Sequence, residues 1–194
     1  YTVANLEFTP NEFCTINDSA FLENKATALS KIEHAFGALY AVMHANNDMP
    51  VKSNNGKISK GENYIGLPYM VLDYPRIYDK QNICAVRTMF YWANFFSCTL
   101  HVGGSYLIAD FVKINAWKNE IKLPLYFCVN NNQWQHHFKV DNYLPWQNIT
   151  NQIFEKQLQN GFIKLAVKAP LNQFEILIPD ALKFNTLATI IMNQ

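Results

Sequence analysis

The chain has 194 residues, of which 49% are apolar and only 16% charged, with 16 Lys+Arg against 15 Asp+Glu and a formal net charge of +1. This length points to one domain, residues 1–194, and area scaling gives roughly 70% of the unfolded surface buried on folding. The apolar share excludes disorder of the whole chain, and the near-zero charge with scattered lysines excludes the electrostatic footprint of a nucleic-acid binder.

Residues 1–18 show no periodicity, contain Pro10 and read as an irregular lead-in. From Ser19 to about Asn46, Leu22, Leu29, Ile32, Phe36, Leu39, Tyr40 and Met43 recur at three- and four-residue steps, which predicts a long amphipathic helix. Asp18 or Ser19 supplies its N-cap, and Asn46, Asn47, Asp48 and Pro50 end it. Residues 47–63 are polar and contain Asn55-Gly56, the signature of a long surface loop and a candidate lid.

The period then falls to two. Tyr69 to Tyr74 alternates between Pro68 and Pro75, and residues 83–92 form a second strand-like run. The runs Phe95–Val102 and Ser105–Ala116 flank Gly103-Gly104, which predicts a hairpin there. In that register Val102, Leu100, Cys98 and Phe96 face the core. His101, Thr99, Ser97 and Phe95 face the other side, with Asp110 beside Ser97 and Tyr106 beside His101. Further strands are expected at 123–130 and 134–140, then a helix over 149–160 ended by Asn160-Gly161. A strand pair at 162–168 and 174–178 and a C-terminal helix from Pro179 complete the chain. The prediction is therefore an α+β fold: a single, mainly antiparallel sheet of six to eight strands, with a long N-terminal helix, one middle helix and a C-terminal helix packed on it.

The motifs that announce chemistry are missing. The five His, at 34, 44, 101, 136 and 137, do not converge in sequence; His34 and His44 project about 280° apart on a helix. The four Cys, at 14, 84, 98 and 128, form no C-x-x-C and read as small buried hydrophobes, so no metal site is expected. Gly-rich phosphate cradles and G-x-S-x-G are absent, so no cofactor is expected. The catalytic-looking candidates are His101, Tyr106 and Asp110. A triad of Ser97, His101 and Asp110 fails because Ser97 and His101, four residues apart on a strand, are separated by about 13 Å.

Candidate ligand-binding positions are Asp73, Arg76, Asp79, Arg87 and Trp92. Arg76 sits in the polar run 73–80, where Asp73 or Asp79 can hold its planar fork toward an anion or simply pair with it in a turn. Arg87 interrupts an apolar run, so its guanidinium needs a partner, and an ion pair with Asp73 or Asp110 is expected. Only two of the 16 cations are Arg, and a chain that otherwise prefers Lys retains Arg where a planar fork is needed. Trp134 and Trp146, among Gln residues, are expected at the surface. No single biochemical function follows from these features. The expectation is a non-catalytic ligand-binding or protein-interaction module with an aromatic-rich sheet face, self-associating and cytoplasmic, with a small-molecule ligand and neither nucleic acid nor membrane as partner. The alternative is a metal-independent enzyme acting on a small anionic or aromatic substrate, with His101 as acid or base and Arg76 or Arg87 as anion anchor.

Overall fold

In a computed structural model, which describes residues 6–45 and 55–193, the first element is a helix where an irregular lead-in was expected: α1 (Pro10–Ile16). Thr9 accepts a hydrogen bond from the Glu12 amide while the Glu12 carboxylate accepts from the Thr9 amide, and Pro10 occupies the first turn. This is a capping box with Pro pre-set for helix, written in the sequence as Thr9-Pro10-Asn11-Glu12. The long helix α2 (Ser19–Ala45) lies where predicted, and Asp18 accepts from the Phe21 amide at 3.2 Å. Its second half buries Phe36, Leu39 and Met43.

Seven strands form one antiparallel sheet: β1 (Lys57–Tyr64), β2 (Leu67–Tyr78), β3 (Ile83–Tyr91), β4 (Phe95–Gly103), β5 (Tyr126–Cys128), β6 (Tyr143–Pro145) and β7 (Phe162–Ala169). Their spatial order is β1-β2-β3-β4-β7-β5-β6. β1 replaces most of the described part of the expected 47–63 loop; residues 46–54, and with them the core of the lid expectation, lie outside the described residues. Lys57, Ser59, Lys60 and Glu62 make it a polar edge strand, the kind that resists further pairing and carries no hydrophobic period to read.

The Gly103-Gly104 hairpin does not form. β4 pairs with β3 across Trp92–Asn94 and with β7 on its other side, while the chain after Gly103 leaves the sheet through a short 3-10 turn and enters α3 (Phe111–Lys118). Gly104 has φ of 63°, and a β-carbon there would lie 2.0 Å from the Gln81 carbonyl oxygen, so the glycine serves a close loop crossing. The predicted inward face of β4 is nevertheless right: Phe96, Cys98, Leu100 and Val102 are buried in the main core.

The remaining expectations meet mixed outcomes. Residues 134–140 form an irregular segment and 174–176 a 3-10 turn rather than strands. Two middle helices stand where one was expected, α3 and α4 (Asn151–Leu158). Thr150 caps α4, and Gly161 at φ 76° follows its end. The C-terminal helix α5 (Ile178–Met192) carries Pro179 in its first turn, and its Asp180 carboxylate accepts from the Lys122 and Leu123 amides. Cys84, Cys98 and Cys128 are buried, but Cys14 on α1 is exposed.

Helices α2 and α5 cover one sheet face, with Phe36 against Phe96 and Phe184 and Ala188 in the same core. The other face is covered by the irregular segment 129–142, which crosses it as a strap. No described helix is long and apolar enough to cross a membrane.

Candidate ligand-binding site

Alternation along the strands sends Asp73 of β2, Arg87 of β3, Thr99 of β4 and Ala166 of β7 into one row on the strap side. The next row is Arg76, Ala85, His101 and Lys164. Asp73 and Arg76 are three residues apart and would face opposite sides of a regular strand. A β-bulge between them returns Arg76 to the side of Asp73.

Arg87 grips Asp73 with two parallel bonds, Nε to Oδ1 at 2.7 Å and Nη2 to Oδ2 at 2.8 Å, and its Nη1 donates to His136 Nε2 at 2.9 Å. Asp73 is thus the partner of Arg87, and Asp110 is not. Burial disfavours the guanidinium charge, but hydrogen bonding and attraction from Asp73 outweigh it and raise the Arg87 pKa. His136, accepting from Arg87, is held well below the usual histidine range by burial and then by the Lys164 and Arg87 charges.

Lys164 is fully buried, and among the described residues no carboxylate lies within ion-pairing distance of it. Its ammonium donates to the Gln133 carbonyl at 3.0 Å and to the Gln135 carbonyl, and burial pushes its pKa down to about 8. His101 is 4% exposed. Its Nε2 is 3.1 Å from Gln133 Oε1, and burial followed by repulsion from Lys164 pushes its pKa down to about 3. On the other side of the strap Tyr64 Oη accepts from the His136 and His137 amides at 2.7 and 3.0 Å. The strap is therefore fastened by Lys164, Tyr64, Arg87 and His101.

At the strap's edge lies a cleft of about 300 Å³. Trp134, Tyr69 and Tyr78 supply its aromatic walls, and Arg76, Arg87 and Lys57 its cations. Asp73 is its only carboxylate and is already bound by Arg87. Trp134 is 50% exposed and stands between the Tyr78 ring at 6.0 Å and the His101 ring at 5.8 Å. Arg76 is exposed and forms no ion pair among the described residues.

The cleft thus joins Asp73, Arg76 and Arg87 of the predicted binding set and leaves two members out. Asp79 accepts from the Gln81 and Asn82 amides, which hold its carboxyl below the usual range, and it fixes the β2–β3 turn. Trp92 packs edge-on against Phe90 in the helix-covered core, on the opposite face.

The predicted catalytic face is dismantled. With no hairpin, Tyr106 and Asp110 are not beside His101 and Ser97; both line a separate cavity by α3 and α5, where Asp110 caps α3 by accepting from the Lys113 amide at 2.9 Å. Trp146 is buried at 4% exposure, its Nε1 donating to Asn115 Oδ1, so only Trp134 of the expected surface pair is at the surface. Tyr69, Tyr78, Lys164 and His136 enter the site unforeseen. Lys164 carried a signal, a cation inside the apolar run Phe162–Ala169, of the same kind that exposed Arg87. Among the described residues no three His, Cys, Asp or Glu side chains group to hold a metal ion. Comparison with protein-family models, with curated proteins and with solved structures gives no match to this chain.

Proposed function

We propose that the protein is a non-catalytic binding module for a small anionic ligand carrying a flat ring, held in the cleft between Trp134 and the two arginines. The observation that carries this reading is that both arginines of the chain line this one cleft. Arg87 is fixed by Asp73 and Arg76 is free to present its fork, while Tyr69, Tyr78 and Trp134 offer ring faces and edges for stacking. Pockets of this size, with aromatic walls and a few placed polar groups, suit small molecules. The enzymatic alternative draws little support from His101: a histidine with a pKa near 3, buried behind Gln133, is a neutral hydrogen-bonding group at neutral pH and not a proton shuttle.

The test is a fluorescence titration with naphthalenesulfonate and phenyl phosphate, alongside the uncharged naphthalenemethanol and the ringless anion acetate, with Trp134→Phe identifying the responding tryptophan. Saturable quenching by the two ring anions is expected, weaker binding at higher salt, and at least about a tenfold loss of affinity in Arg76→Met. Binding of the uncharged ring at equal strength, or no effect of Arg76→Met, overturns the reading.

A further inference from the structure

A second cleft, of about 320 Å³, shares Tyr78 and Trp134 as walls with the arginine cleft. Its other walls are of a different kind: the amide side chains of Gln81, Gln133 and Asn160, and the backbone at Gly103 and Gly161. Its one cation, Lys80, is matched by one carboxylate, Asp79, so this cleft has no formal charge, whereas Lys57, Arg76 and Arg87 outnumber Asp73 in the first. We propose that the second cleft binds a sugar, so that the ligand of the site is a glycoside, with its flat ring at Trp134 and Tyr78, its anionic group at the arginines and its sugar among the amides. The proposal rests on the reading of the first cleft as a site for a ring-bearing anion.

The unused hydrogen-bonding groups favour a polyhydroxylated partner. A sugar hydroxyl both donates and accepts, as a primary amide does, whereas an anionic oxygen only accepts and calls for cations. Gln133 is held through its Oε1, 3.1 Å from His101 Nε2, and its Nε2 has no partner among the described residues. Gln81 donates its backbone amide to Asp79 Oδ1 at 2.8 Å, and its side chain has no partner among the described residues. Asn160 donates its Nδ2 to Gln157 Oε1 at 3.2 Å and keeps its Oδ1 for a donor. Asp79 is already committed to the turn by the Gln81 and Asn82 amides. One wall is bare backbone: a β-carbon on Gly103 would lie 2.9 Å from the Gly161 carbonyl oxygen, and Gly161, at φ 76°, has open space where its own would stand. Trp134, half exposed, is common to both clefts and gives the ring a surface from which substituents can reach either side. The volume lies at the small end of ligand pockets and suits one sugar unit rather than a chain of them.

Isothermal titration of the full chain with 4-methoxybenzoate, 4-carboxyphenyl glucoside and the neutral phenyl glucoside tests this. The carboxyphenyl glucoside is expected to bind at least about fivefold more tightly than methoxybenzoate. The double variant Gln81→Ala/Asn160→Ala, at two exposed positions, removes that advantage and leaves methoxybenzoate binding unchanged, while Arg76→Met weakens both anions and spares phenyl glucoside. Equal affinity of the two anions for wild type, or a sugar advantage that survives in the double variant, overturns the sugar cleft and leaves the anion reading standing. Methoxybenzoate binding that is absent, or indifferent to Arg76→Met, overturns the anion reading instead. Phenyl glucoside bound by wild type and lost in the double variant then still supports the sugar cleft, and its failure to bind overturns that as well.

Discussion

Arg87 and Lys164 face the same problem, a cation carried onto the strap-covered face of the sheet, Lys164 fully buried and Arg87 largely so, and resolve it differently. Arg87 takes a carboxylate and keeps its charge firmly; Lys164 finds two backbone carbonyls and the face of the Tyr143 ring but no carboxylate among the described residues, and its pKa falls to about 8. Their charges, added to burial, keep His101 and His136 neutral. This has a consequence for stability. In the unfolded chain His101 takes up a proton below about pH 6.5, while in the folded protein it resists protonation down to about 3, so between those values the unfolded state binds the extra proton and stability falls as pH falls. By pH 5, above the range where carboxylates dominate, His101 alone accounts for about 2 kcal/mol of lost stability, and His136 adds in the same direction. The urea midpoint should drop between pH 7 and 5, and a His101→Gln/His136→Gln double variant should flatten that drop. A wild-type midpoint constant over this interval would contradict the account.

The strap formed by residues 129–142 has no regular secondary structure; the Val129 amide donates to the Asn142 carbonyl at 2.8 Å and closes its ends, and side chains from the sheet hold it down. Lys164→Met removes the bonds to the Gln133 and Gln135 carbonyls and leaves Lys168 as the one charged residue of β7. Amide exchange should then accelerate at residues 133–137 while the amides of β3 and β4 keep their protection; unchanged exchange in the strap would show that Lys164 does not fasten it. This dependence also explains what the sequence conveyed and what it hid. α2 buries one face at helical spacing, and β4 and β7 are apolar runs buried on both faces, so these elements and α5 are readable from the residues themselves. The run 105–116 was apolar without a distinctive period and could be read as strand, although Asp110 capped a helix there. The strap segment 134–140 has a strand-like composition, yet it is anchored by partners distant in sequence, Tyr64 and Lys164, which no local pattern announces. The cleft was half legible: Arg76 and Arg87 stood out as rare arginines, but the bulge that puts Arg76 on the side of Asp73, and the arrival of Trp134 from across the sheet, are tertiary facts.

At the scale of the whole molecule, the sheet separates two environments. Helices close one face with an apolar core, and a polar network beneath the strap closes the other, leaving the arginine and tryptophan cleft at its margin. The central claim is that the cleft binds a ring-bearing anion, and the most direct measurement is a crystal structure of the protein soaked with naphthalenesulfonate. The account predicts the ring against Trp134 and the sulfonate within hydrogen-bonding distance of Arg76, with the Arg87–Asp73 pair intact. A ligand seated elsewhere, or a ring at Trp134 with its sulfonate turned away from both arginines, would contradict it.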